Sequence, residues 1–324
     1  MCIRDRYNEV IMYKMKRLFS SLREHTIFSI RFYFHNVSTS YFLPKVSRFI
    51  NKNLYWMGLG SSLNRYNNSL TIYSSFADKK LYSSYTEDGK FINFGSGAFF
   101  HNRWKNYDYP GNSAFYKSIQ GNPGKDFNPI DLCDENLKVP EADNSVDLIY
   151  CSHTLEHINK KSSHRFLKEC YRILKKGGVL RVALPNTKND FYLLRCLMRQ
   201  NQAYNDVKKN YIKDASFHIL SDTKTIKTEN ILEVLDKASF ESNEFYKLIT
   251  KEHPRMASFD GDNPERHINY WDLDNLIEVM PKFGFELTIP TYQGSSVARP
   301  FCNLHVFDNT EPHISFYADI IKAR

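Results

Sequence analysis

From Lys90 onward, short apolar runs alternate with stretches of helical spacing. Phe91-Ile92-Asn93-Phe94 stops at Gly95-Ser96-Gly97, and Trp104 to Tyr107 is closed by Asp108. Val146 to Cys151 (VDLIYC) and Val179 to Leu184, which ends at Pro185, have the same character. Runs this short, bounded by turn residues, read as strands. Between the last two, Phe166, Leu167, Cys170, Ile173 and Leu174 fall on one face and predict a helix over about 163–174. Lys175-Lys176 then Gly177-Gly178 predicts its stop, with cations at the negative end of the dipole and glycine for the left-handed cap. A second amphipathic run, Asp272 to Phe283, puts Leu273, Leu276, Ile277 and Met280 on one side and stops at Gly284. Phe285 to Ile289 and Ile314 to Ile321 read as two closing strands. Strands separated by helices imply a parallel sheet covered on both faces.

The flanking regions lack this rhythm. Residues 1–84 read as a basic, aromatic-rich extension in which Phe19, Leu22 and Ile27 form a loose helical stripe that Pro44 is expected to interrupt. Packing on the main domain is the favoured role of that stripe, ahead of peripheral contact with a membrane surface. The first six residues, MCIRDR, look like translated sequencing-adapter read-through, which makes Met12 or Met15 a candidate start. Residues 187–265, polar and aromatic without strand spacing, read as a helical insertion in a domain spanning 85–324.

Charge and cysteine usage narrow the partners. Net charge is +8, but residues 1–54 hold ten Lys/Arg against three Asp/Glu and so carry +7 of it. A near-neutral body is not built around phosphate backbones, which argues against a nucleic-acid partner. The six cysteines are scattered without a C-x-x-C pair, as in a reduced protein, and no segment has a secretory or membrane-spanning pattern. The expected location is the cytoplasm.

The candidate chemistry lies at the strand ends. In such a sheet ligands bind outside the carboxyl ends, where strand order reverses. Gly95-Ser96-Gly97 lets backbone approach a ligand without a Cβ and aims amides at it. Asp108, closing the second strand, offers the two-oxygen acceptor that a ribose diol needs. Asp131 at the next strand end can accept from an adenine amino group while Leu132 packs on the ring. Each residue alone is unremarkable; the ordered set is specific. The segments LKVPEADNSVDLIYCSHTLEHI and FLKECYRILKKGGVLRVALPN resemble the fourth strand, following helix and fifth strand of class I methyltransferases. RHINYWDLDNLIEVMPKFGFE and HISFYADIIK are similar to that family's late helix, sixth strand and last strand. The resemblance implies a doubly wound, Rossmann-like α/β fold with a seven-stranded sheet, mostly parallel with an antiparallel last strand. It also implies S-adenosylmethionine as cofactor, bound by Gly95, Ser96, Gly97, Asp108, Asp131 and Leu132. Phe99 and Phe100 in place of a third small residue, and the short gap from Gly97 to Asp108, depart from the family pattern.

Methyl transfer from a sulfonium chiefly needs alignment and exclusion of water, with a base for hydroxyl or protonated amine acceptors. His157, then His153, are the candidates for base or substrate contact, with Glu156 between them and His267, preceded by Arg266, entering from the other side. A purely structural role for Glu156 and His157 competes with this reading. The expected acceptor is a small molecule or glycan carrying a hydroxyl, by family analogy. Three alternatives rank behind: a non-catalytic scaffold of the same fold, an RNA methyltransferase using the basic arm, and a zinc peptidase. The last rests on His153-Thr-Leu-Glu-His157, which matches H-x-x-E-H; otherwise no metal is expected.

Overall fold

Two sheets organise the chain in a computed structural model that describes residues 29–34, 39–64, 69–97, 99, 101–111, 127–186, 259–262, 267–269, 271–312 and 314–323. The first is antiparallel, with β1 (Ser29–Tyr33), β2 (Leu59–Asn64) and β3 (Ser69–Ser74) in the order β1-β3-β2. Helix α1 (Thr39–Asn53) precedes β2, and α2 (Ser75–Leu81) follows β3. Pro44 lies inside α1, so it does not interrupt that segment. It sits in the second turn, where its missing N–H costs one bond near the helix start. The stripe at Phe19, Leu22 and Ile27 and nearly all of the expected insertion lie outside the described residues.

The second sheet has seven strands: β4 (Phe91–Phe94), β5 (Trp104–Asp108), β6 (Phe127–Pro129), β7 (Val146–Ser152), β8 (Leu174–Pro185), β9 (Leu287–Thr291) and β10 (Ser315–Ile321). Their order is β6-β5-β4-β7-β8-β10-β9, and β10 runs antiparallel to both of its neighbours. The other pairings are parallel. This is the doubly wound arrangement expected from sequence. Order reverses between β4 and β7, which places the switch point at their carboxyl ends.

Alternation along the strands divides the core. Ile92, Phe94, Ile149, Cys151, Leu180 and Val182 face helix α3 (Lys160–Ile173), which contributes Phe166, Leu167 and Cys170. Helix α4 (Leu273–Val279), continued by a 3-10 turn at Met280–Phe283, adds Leu276 and Val279. Ile277, which spacing placed on the apolar side, is exposed. On the opposite face Phe91, Leu148, Tyr150 and Val179 pack with Tyr82, Trp104, Phe301 and Phe307. Phe99 leans on Trp104, Tyr150 and Phe307. The β4–β5 connection runs only from Gly95 to Arg103 and holds no helix among its described residues, so aromatic side chains cover part of this face.

Helix α3 stops at Ile173, before the glycines expected to cap it. Leu174 is already extended and pairs with Val146, after which Leu148 pairs with Val179. Lys175 to Gly178 therefore bulge from β8. Gly177, at φ +77°, donates its N–H to the Lys322 carbonyl at 2.7 Å. Strand pairing overrides the local cap signal. Asn159 does cap the other end, accepting from the Ser162 N–H at 2.9 Å. No helix among the described residues is long and apolar enough to cross a membrane.

Buried polar bonds tie α2 to the larger sheet. The Asp78 carboxylate accepts from the Tyr55 hydroxyl and from Asn303 Nδ2 at 2.7 Å, and lies 2.8 Å from His101 Nε2. Burial alone would raise its pKa; the His101 charge, with hydrogen bonds from His101, Tyr55 and Asn303, outweighs burial and lowers it. With the folded value below the unfolded one, Asp78 contributes stability above the ordinary carboxylate range and loses it as pH falls through the folded value. Urea unfolding midpoints should therefore drop more between pH 6 and pH 3 in the parent (roughly the carboxylate range) than in Asp78→Asn.

Candidate active site

The loops leaving β4 and β7 interlock at the switch point. Gly95 has φ +64°, and a Cβ there would stand 2.1 Å from Thr154 Oγ1, so the approach of the two loops requires glycine. Gly97 is also left-handed, at φ +51°. The amides of this turn bond to the end of β5. Gly95 N–H donates to the Tyr107 carbonyl at 2.9 Å, and Gly97 N–H to Asp108 Oδ2 at 2.7 Å. Ser96 is buried, its N–H 3.4 Å from the same Tyr107 carbonyl. The free, outward-aimed amides expected from sequence are thus engaged, because the short connection folds the turn back onto β5. Asp108 is buried, and its other oxygen accepts from the Tyr109 N–H at 2.8 Å.

Asp131 and Leu132 follow β6. Asp131 is exposed and caps its own turn, Oδ1 accepting from the Cys133 N–H at 2.7 Å. Leu132 is buried in the main core, so it backs the strand ends instead of offering an open face for a ring.

Past β7 the chain kinks at His153, a non-glycine residue at φ +48°, and enters a 3-10 turn at Leu155–His157. The kink is held by the His153 N–H, which donates to the Ala183 carbonyl at 2.9 Å. Both His153 nitrogens are engaged: Nε2 lies 2.8 Å from Ser315 Oγ, and Nδ1 3.3 Å from Glu156 Oε1. The two histidines of the H-x-x-E-H string do not share a helix face, and His157 Nε2 stands 3.9 Å from the same Glu156 oxygen. The peptidase geometry, two ligands one helical turn apart with Glu as base, is absent from these residues.

A distant segment completes the cluster. The N–H groups of Ile268 and Asn269 donate to the Glu156 carbonyl at 2.8 and 3.0 Å, and Asn269 Nδ2 donates to Ser163 Oγ at 3.1 Å. This docking sets the His267 ring edge-on to His157, with centroids 4.8 Å apart. Arg266 lies outside the described residues. The Glu156 carboxylate is fully buried, and neither oxygen accepts a hydrogen bond of good geometry among the described residues. Burial pushes its pKa up, but the closeness of His153 and the charges of His157, His153 and His267 outweigh that and hold it at about 2. His157 keeps 21% of its side chain exposed and is the open member of the group.

Residues 114–182 match the model of a family described as a methyltransferase domain. They include β6, β7, α3 and most of β8, and so the strand–turn–helix that builds the histidine loop. The matched segment is 69 of the 324 residues, and the seven-stranded sheet built around it is doubly wound, as the methyltransferase resemblance implies. No curated protein sequence matches the chain. Among solved structures, a phosphoethanolamine N-methyltransferase 2 from Haemonchus contortus is 10% identical, with a TM-score of 0.36, and the match covers 77% of this chain and 52% of that one. A SAM-dependent methyltransferase from Thermotoga maritima is 14% identical, with a TM-score of 0.33, over 76% and 88% of the two chains. Another from Aquifex aeolicus is 10% identical, with a TM-score of 0.34, over 76% and 89%. Scores this low carry no argument about mechanism or substrate.

S-adenosylmethionine is the cofactor of a methyltransferase domain of this kind, and the residues present fit it. The turn after β4 has two left-handed glycines, and a buried carboxylate closes the neighbouring strand. Asp108 accepts from the Gly97 and Tyr109 N–H groups, which fixes its carboxylate at the strand end where a two-oxygen acceptor for a ribose diol belongs.

Proposed function

We propose that this methyltransferase domain transfers the methyl group of S-adenosylmethionine to a hydroxyl oxygen of a small-molecule or glycan acceptor. One observation carries the reading: the Gly95 turn touches Thr154, two residues before Glu156, so the donor-side loop and the histidine cluster meet at one switch point.

The bound cofactor supplies a methyl carbon already activated by a sulfonium, so the chain's task is largely placement. Gly95 and Gly97 let backbone approach the donor, and Asp108 accepts from the ribose and fixes the donor's rotation. Asp131, at the outer strand end, is the acceptor for the adenine amino group. A hydroxyl acceptor must lose its proton as its oxygen attacks. The acceptor-side cluster of Glu156, His157 and His267 handles that proton, with His157 as its solvent-facing member. His153 holds the carboxylate of Glu156 in place.

Asp108→Ala should weaken S-adenosylmethionine binding by about 1–3 kcal/mol through lost charge-assisted hydrogen bonds. Calorimetry on parent and variant measures it. The acceptor class is tested by incubating the chain with methyl-labelled S-adenosylmethionine and separated fractions of a cell extract. Label in small molecules or in glycan released by glycosidases is expected. Label confined to RNA or protein would overturn the acceptor assignment.

A further inference from the structure

We propose that Glu156, His157 and His267 form a binding site for one divalent first-row transition-metal ion. One potential ligand atom from each lies within 4.8 Å of the other two. Three ligands on one ion at about 2.1 Å stand roughly 3–3.5 Å apart, a separation that small rotations of the imidazoles and the carboxylate reach. Two imidazoles and one carboxylate suit zinc, iron, cobalt or manganese, and three protein ligands leave positions open for other oxygens.

Burial is the second, independent observation. The fully buried Glu156 carboxylate has imidazole nitrogens at 3.3 and 3.9 Å from Oε1, yet neither of its oxygens accepts a well-formed hydrogen bond, so both keep acceptor capacity that a bound cation would use. The surroundings match an outer shell. His153 lies 3.3 Å from Oε1 and is itself fixed by Ser315 Oγ, so it orients the carboxylate. The Glu156 carbonyl holds the 267–269 segment through the Ile268 and Asn269 N–H groups, which sets His267 opposite His157. The partial exposure of His157 gives the ion access.

The ion's role rests on the methyl-transfer reading. It binds the acceptor hydroxyl at an open position and lowers its pKa, so the proton leaves to solvent before the oxygen attacks. The new O–C bond forms as the C–S bond breaks, and its electron pair stays on sulfur. His157 then acts as a ligand and does not take the proton itself.

The test uses the full chain, stripped with chelator and titrated with cobalt(II), read by visible d–d absorption and competed with zinc(II). Parent, Glu156→Gln and His267→Asn are compared, with circular dichroism and S-adenosylmethionine binding on the same samples. The expected result is one cobalt ion per chain, displaced by zinc, with affinity reduced more than about 100-fold in His267→Asn. Because Glu156 is buried, His267→Asn is the deciding variant if Glu156→Gln does not fold. Absence of stoichiometric binding by the folded parent, or binding unchanged in His267→Asn, overturns the site. Donor binding by the metal-free chain separates this failure from that of the methyl-transfer reading.

Discussion

Arg181→Ala should destabilise the fold by about 3–5 kcal/mol, the cost of leaving buried charge uncompensated. Arg181 projects from the middle of β8 and is fully buried. Its guanidinium meets Asp308 Oδ2 at 2.6 Å and Asp319 Oδ1 at 3.0 Å, both carboxylates also fully buried. The Tyr292 and Ser295 carbonyls each accept from it at 3.0 Å, and Thr291 Oγ1 accepts as well. Alanine removes donors to five groups and leaves two carboxylates in the interior. Burial already raises the Asp308 pKa despite the opposing pull of Arg181, and losing that pull should raise it further. A domain is stable by roughly 5–15 kcal/mol, so the loss is a large fraction of the total and should lower Tm by on the order of 10 °C. Calorimetric scans measure it. Arg181→Met combined with Asp308→Asn and Asp319→Asn should recover part of the deficit, because replacing the whole buried set costs less than breaking it.

His157→Ala should reduce methyl transfer by about 10²–10⁴-fold, the usual contribution of a group that manages an acceptor's proton. The factor applies whether the imidazole takes the proton or holds an ion that acidifies the hydroxyl. Affinity for S-adenosylmethionine should stay within a few-fold, since the proposed donor-side contacts are with Gly95, Gly97 and Asp108. The partial exposure of His157 predicts a small stability change. Single-turnover assays and thermal scans on one preparation separate the two effects. A variant that melts far below the parent would assign His157 a structural role.

Much of the fold was legible because the central strands are buried on both faces. Phe91–Phe94, Val146–Ser152 and Leu174–Pro185 are almost continuously buried, and such strands read as apolar runs. The N-terminal sheet was not legible. β2 is LGSSLN, with little apolar signal, and the SIRFY residues of β1 are all exposed, so neither alternates as a half-buried strand does. The glycines after α3 misled because cap signals are local, whereas pairing of Leu174 with Val146 and the contacts of Lys322 with Gly177 and Gly178 are not.

Of the site, the order of Gly95-Ser96-Gly97, Asp108 and the histidine loop along the strand ends was readable. The bonds of the turn's amides to Tyr107 and Asp108 were not, since they follow from the short connection between β4 and β5. His267 was visible as a residue ahead of a helix. Its place against His157 depends on backbone bonds to the Glu156 carbonyl, for which no side-chain pattern exists.

The most direct measurement is calorimetric titration of the purified full chain with S-adenosylmethionine and S-adenosylhomocysteine. The account predicts saturable binding of one equivalent of each in the micromolar range, lost when Gly97→Val crowds the turn. A folded chain that releases no heat with either compound, and is not stabilised by either in a thermal scan, would contradict it.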